Sequence, residues 1–124
     1  MRSRYSAFAK GLGEYLVETL SSDHEDRAVP REALVQELSR AKDRQRFLGL
    51  RILDTSSEGD AGEVTFIARI FERGTDRSFG ERSAFLREEG TWRYASGKTL
   101  FRDRLPAELD TVTSEDFTGL LRKG

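Results

Sequence analysis

The chain has 124 residues, 35% charged and 36% hydrophobic, with 21 basic against 22 acidic side chains and no cysteine. That length makes a single domain burying roughly two-thirds of its unfolded surface, and eight Phe, three Tyr and one Trp supply core anchors that argue against disorder. The cancelling charges exclude a global field for nucleic acid or an anionic membrane, and the missing thiols exclude disulfides, cysteine nucleophiles, Cys-ligated zinc and iron–sulfur clusters.

No apolar run approaches the ~20 residues that span a bilayer. The basic N-terminus lacks a continuous apolar stretch, so it does not read as a signal peptide, and a cytoplasmic location is expected. Residues 2–20 read as a first helix. Tyr5, Phe8, Leu12, Tyr15, Leu16 and Thr19 fall on one stripe at three- and four-residue spacing. Ser3 or Ser6 is the candidate N-cap. Gly11 and Gly13 weaken the centre and mark a bend or a close packing contact. They are not a dinucleotide fingerprint, because no strand precedes them and no third glycine follows. Residues 21–28 read as a polar loop, and Pro30 opens a second helix over 31–41.

A basic connector, KDRQR, leads to a strand over 47–53. Its alternation puts Leu48, Leu50 and Ile52 on one face and Phe47, Gly49, Arg51 and Leu53 on the other. Residues 54–62, DTSSEGDAG, are turn formers and read as a loop. Val64, Phe66, Ala68 and Ile70 then alternate with Glu63, Thr65, Ile67 and Arg69, the period of a strand. Runs over 79–87 and 91–95 complete a meander, with one tight turn at Glu89-Gly90. That turn sets Phe85 opposite Tyr94 and Arg87 opposite Trp92, both favourable cross-strand pairs. Residues 99–105 extend the last strand or wrap its edge until Pro106. Ser114 is the expected cap of a final helix with Phe117, Leu120 and Leu121 on its apolar face.

Helices followed by an antiparallel sheet give an α+β order. Several ordered motifs also resemble the middle domain of the YchJ family. They are MRSRYSAF at 1–8, LGL at 48–50, GEVTFIA at 62–68, ERS at 81–83 with Phe85, and REEGTW at 87–92 followed by Tyr94 and Gly97. The resemblance spans residues 1–97 and leaves 98–124 as a C-terminal extension of one domain, 1–124. It implies a cone-shaped nuclear-transport-factor-two-like (cystatin-like) fold, with N-terminal helices packed in the concave face of a curved antiparallel sheet. Family members commonly carry SEC-C segments, cysteine-rich zinc motifs also found on the tail of the SecA translocase motor. This chain departs there, and it has Phe47 where the family often has Trp and Gly80 where it often has His. The zinc-linked role is therefore not carried over.

The candidate site residues are Arg4, Tyr5, Glu81, Ser83, Phe85, Trp92 and Tyr94. Glu81 and Ser83 share strand parity with Phe79 and Phe85, and Arg82 and Ala84 share the opposite one. The family resemblance, in which the position of Ala84 is often charged, implies that Ala84 faces out and that Glu81 and Ser83 face the cone interior. A carboxylate in an apolar cup is a candidate general base. The competing reading is a structural ion pair between Glu81 and Arg4, because buried charges are normally paired. Tyr5, Tyr15, Trp92 and Tyr94 either line a pocket or pack the core with their polar tips at the surface. His24 sits among Asp23, Glu25 and Asp26. One histidine among adjacent carboxylates defines no metal geometry, so a solvated loop is expected and no metal or cofactor. Serine chemistry has only His24 as base and no G-x-S-x-G. The basic residues of 40–46 lack interleaved aromatics and read as a solvated helix end.

Two function classes follow. The first is a non-catalytic module that binds a small molecule or protein at the cone mouth. The second is an isomerase- or hydratase-type enzyme using Glu81. Ile67 and Leu86 are expected on an apolar outer face, which makes a homodimer possible.

Overall fold

The computed structural model describes residues 2–21, 24, 26 and 29–123, except for the side chains of residues 2, 3, 8, 9, 41 and 42. Asp23 and Glu25, most of the expected polar loop, and the Ser3 and Phe8 side chains thus lie outside the described residues.

The N-terminal helical stretch is two helices, α1 (Arg2–Lys10) and α2 (Gly13–Glu18). Since α1 already runs at Arg2, neither Ser3 nor Ser6 caps it. Both glycines have a structural reason. Gly11 takes φ 70° and the Leu12 N–H bonds to the Ala7 carbonyl at 2.8 Å, a left-handed closure that ends α1. Gly13 lets α2 lie against the third helix, since a Cβ there would come within 2.1 Å of the Val35 carbonyl oxygen. That helix is α3 (Arg31–Ser39) and begins directly after Pro30. Part of the expected connector is a further short turn of helix, α4 (Ala41–Arg44).

The strands are β1 (Gln45–Glu58), β2 (Ala61–Glu72), β3 (Thr75–Asp76), β4 (Phe79–Glu88) and β5 (Thr91–Leu100). They form one antiparallel sheet in the order β1-β2-β4-β5, with β3 pairing β2. The β4–β5 register is the expected one, Phe85 opposite Tyr94 and Arg87 opposite Trp92. Glu89 and Gly90 both have positive φ, as a tight hairpin turn requires.

β1 departs from the sequence reading in two ways. Residues 54–58 are strand, not loop, because Thr55 to Glu58 pair with Val64 to Ala61 and tertiary pairing overrides the low strand propensity of Asp and Ser. A bulge between Phe47 and Gly49 also shifts the side-chain phase. Phe47 therefore packs on the helix-covered face beside Leu50 and Ile52, while Leu48 is 60% exposed.

After β5 the chain makes a 3-10 turn (Arg102–Arg104) and reaches α5 (Ser114–Lys123). The cap of α5 is Thr113, not Ser114. Asp116 N–H bonds to Thr113 Oγ1 at 3.1 Å and Thr113 N–H bonds back to Asp116 Oδ2 at 3.0 Å. This extension covers the sheet face opposite the helices α1–α3. Leu105, Leu109, Val112 and Phe117 pack there with Ile67 and Leu100. Ile67 is consequently 2% exposed, so the apolar patch expected to drive dimerisation is covered by the chain itself, and only Leu86 stays partly open. No helix among the described residues is long and apolar enough to cross a membrane.

Candidate functional site

The site lies between the helices and the sheet face that carries Phe66, Ala68 and Ile70. Its centre is Tyr94. The segment leaving α2 runs beside β5 and fixes Tyr94 by its backbone, with Tyr94 N–H bonded to the Thr19 carbonyl (2.6 Å) and Ser21 N–H to the Tyr94 carbonyl (2.7 Å). The Tyr94 ring meets Phe85 edge-on at 5.7 Å, and the Arg4 guanidinium sits 4.9 Å from its centroid. Its hydroxyl donates to Glu81 Oε2 at 2.9 Å.

Glu81 is held by hydroxyls. Besides Tyr94, Ser83 donates to Oε2, and Thr99 donates to Oε1 at 3.0 Å. Gly97 makes room for this group, because a Cβ there would sit 2.4 Å from Glu81 Oε2 and 2.6 Å from the Tyr94 oxygen. The expected Arg4–Glu81 ion pair is not formed. Arg4 Nη1 instead donates to the Leu16 carbonyl at 2.9 Å and to Thr19 Oγ1. The guanidinium is thereby used at the end of α2, and the Tyr94 ring stands between it and the carboxylate, stacked under the one and hydrogen-bonded to the other. Burial lowers the Arg4 pKa, opposed by the nearby Tyr94, Tyr15 and Glu81. Burial also raises the Tyr94 hydroxyl well above its ordinary value, reinforced by the charge of Glu81 and the hydrogen bond to it.

Two spaces adjoin this centre, and Arg4 lines both. The inner one, about 360 Å³, has apolar walls that include Phe47, Phe66, Ala68, Ile70 and Phe79. Glu81, Tyr94, Tyr5, His24, Asp26 and Gln45 are its polar lining. The Tyr5 ring packs edge-on to Phe47 at 5.5 Å, and its hydroxyl oxygen is buried with no hydrogen-bond partner among the described residues. Burial raises the Tyr5 pKa, opposed by the Gly49 backbone, which lies close but outside hydrogen-bond geometry. The outer space, about 430 Å³, is a surface cleft between Tyr15 and Thr19 on one side and Ser56, Val64, Phe85 and Trp92 on the other.

The structure thus brings Arg4, Tyr5, Glu81 and Tyr94 together around the inner cavity, with Ser83 fully buried behind Glu81. Phe85 and Trp92 face the outer cleft instead. Trp92 is 39% exposed, so of its two expected places, pocket lining or core packing, it does not take the core one. His24 is not simply solvated. It tilts against the Tyr94 ring at 5.5 Å and accepts the Asp26 N–H on Nδ1 at 3.1 Å. Sequence reasoning missed Thr99 because β5 slips register between Ala84 and Phe85. Tyr94 and Thr99 have opposite parity in the sequence, yet both reach Glu81.

A helix-lined cavity on an antiparallel sheet defines a nuclear-transport-factor-two-like domain. The family model "YchJ, middle NTF2-like domain" matches residues 1–97, and the chain belongs to that family. A relative in Chromobacterium violaceum, a UPF0225 protein, is 38% identical over 100 residues, covering 78% of this chain and 69% of the relative. The solution structure of RPA3114, a SEC-C motif containing protein from Rhodopseudomonas palustris, is 35% identical with a TM-score of 0.67, covering 81% of this chain and 75% of that one. A SEC-C zinc site needs thiolates, and this chain has none to offer.

Proposed function

We propose that this domain is a non-catalytic module that binds a small, largely apolar molecule in the inner cavity. The observation that carries the reading is the cavity itself, about 360 Å³ of mostly apolar lining with a few convergent polar groups. The state of Glu81 argues against turnover, because three hydroxyls already occupy most of its acceptor positions. The second reading, an isomerase or hydratase with Glu81 as general base, draws on one fact: Glu81 lines the cavity and is not ion-paired with Arg4. The reading takes the domain to work in the cytoplasm, in keeping with its charged, cysteine-free composition.

The test is titration with N-phenylnaphthylamine, a neutral dye that brightens in apolar surroundings. Saturable binding is expected. It should weaken about fivefold or more in Ala68→Leu, since Ala68 is 1% exposed and a larger side chain there takes up cavity space. Circular dichroism checks that the variant is folded. No saturable binding, or binding indifferent to the substitution in a folded variant, contradicts the reading.

A further inference from the structure

We infer that the inner cavity selects organic cations, binding an apolar or aromatic body with an ammonium directed at Glu81. The inference rests on the ligand-binding reading above and names the class of ligand. Among the described lining residues, two carboxylates, Asp26 and Glu81, stand against one guanidinium, that of Arg4. Arg4 is already committed to the Leu16 carbonyl and Thr19. Among the described residues the hydrogen bonds to Glu81 come from hydroxyls, two on Oε2 and one on Oε1. A carboxylate oxygen accepts two, so Oε1 keeps a position for a ligand N–H. An ammonium placed there would form a charge-assisted bond in apolar surroundings, where such bonds are strong.

The walls suit the same ligand. Phe47, Phe66, Phe79, Tyr5 and Tyr94 put aromatic rings around the space, and ring faces attract cations. The cavity's own geometry includes one such contact, the Arg4 guanidinium over Tyr94. An anion would meet Glu81 and Asp26 with no uncommitted cation among the described lining residues other than through displacement of Arg4's helix contacts.

The experiment compares naphthylmethylammonium, its neutral isostere naphthalenemethanol, and naphthoate, titrated into the isotope-labelled full chain and followed by NMR shifts. The cation is expected to bind about tenfold tighter than the alcohol, and naphthoate weakest. Glu81→Gln should reduce the roughly tenfold preference for the cation over the alcohol to about twofold or less, the readout being the ratio of the two affinities measured on the same variant. Equal binding of cation and alcohol overturns the cation preference but leaves the binding module standing. Failure of all three, together with the neutral dye, overturns both. The ranking is read on the unaltered chain, so it decides the matter even if Glu81→Gln does not fold.

Discussion

Phe117 ties the C-terminal extension to the sheet, and Phe117→Ala measures that tie. The ring is 0% exposed and packs with Ile67, Leu100 and Val112, while Arg82 approaches its face at 5.7 Å. Truncating a buried Phe costs about 3–5 kcal/mol, a large part of the ~5–15 kcal/mol that holds a domain folded. Gly80 makes the test sharper. A Cβ at Gly80 would lie 2.5 Å from the Phe117 ring, closer than real contacts allow. Gly80→Ala alone should therefore cost about 1–3 kcal/mol through overpacking. In the Phe117→Ala background the same methyl enters vacated space and should gain the roughly 0.5–1 kcal/mol that Ala has over Gly in a strand. The two substitutions should thus couple by about 2 kcal/mol or more. Urea unfolding, followed by far-ultraviolet circular dichroism and by the fluorescence of the single tryptophan, measures each corner of the cycle. Additivity, or a Phe117→Ala loss below about 1 kcal/mol, refutes the close docking of α5 on β4.

Two further outcomes are expected. Because the native Tyr94 hydroxyl titrates above its ordinary value of 10, the folded chain keeps a proton that the unfolded chain releases. This contribution is complete below about pH 10 and is lost as pH rises beyond it. The alkaline fall in urea midpoint should accordingly flatten in Tyr94→Phe, and an unchanged slope would count against the buried hydroxyl. Trp92→Ala should cost only about 1–2 kcal/mol, since the residue is 39% exposed and its ring keeps the Arg87 guanidinium at 5.3 Å. A loss of 3 kcal/mol or more would mean the ring is buried after all.

The fold was legible where local chemistry decides it. The Glu89-Gly90 turn sets the β4–β5 register, and Gly11 and Gly13 mark the break between α1 and α2. What stayed hidden depends on partners far along the chain. The β1 bulge that turns Phe47 inward, and the pairing that makes strand of 54–58, are decided by β2. Ile67 looks like an outward apolar residue until the extension closes over it. In the site, Glu81 and Ser83, which share strand parity, are hydrogen-bonded to each other, while Phe85 of the same parity lines the outer cleft. The Arg4–Glu81 pair failed for a physical reason: helix α2 ends with a carbonyl and a hydroxyl within reach of the guanidinium. Three hydroxyls, one of them from Thr99 beyond the β5 slip, take the place of the cation.

The most direct test of the binding module is where a bound molecule sits. Intermolecular nuclear Overhauser effects from bound N-phenylnaphthylamine should reach the rings of Phe66, Phe79 and Tyr94, which line the inner cavity. Contacts confined to Tyr15 and Trp92 in the outer cleft, or none to any buried ring, would contradict it.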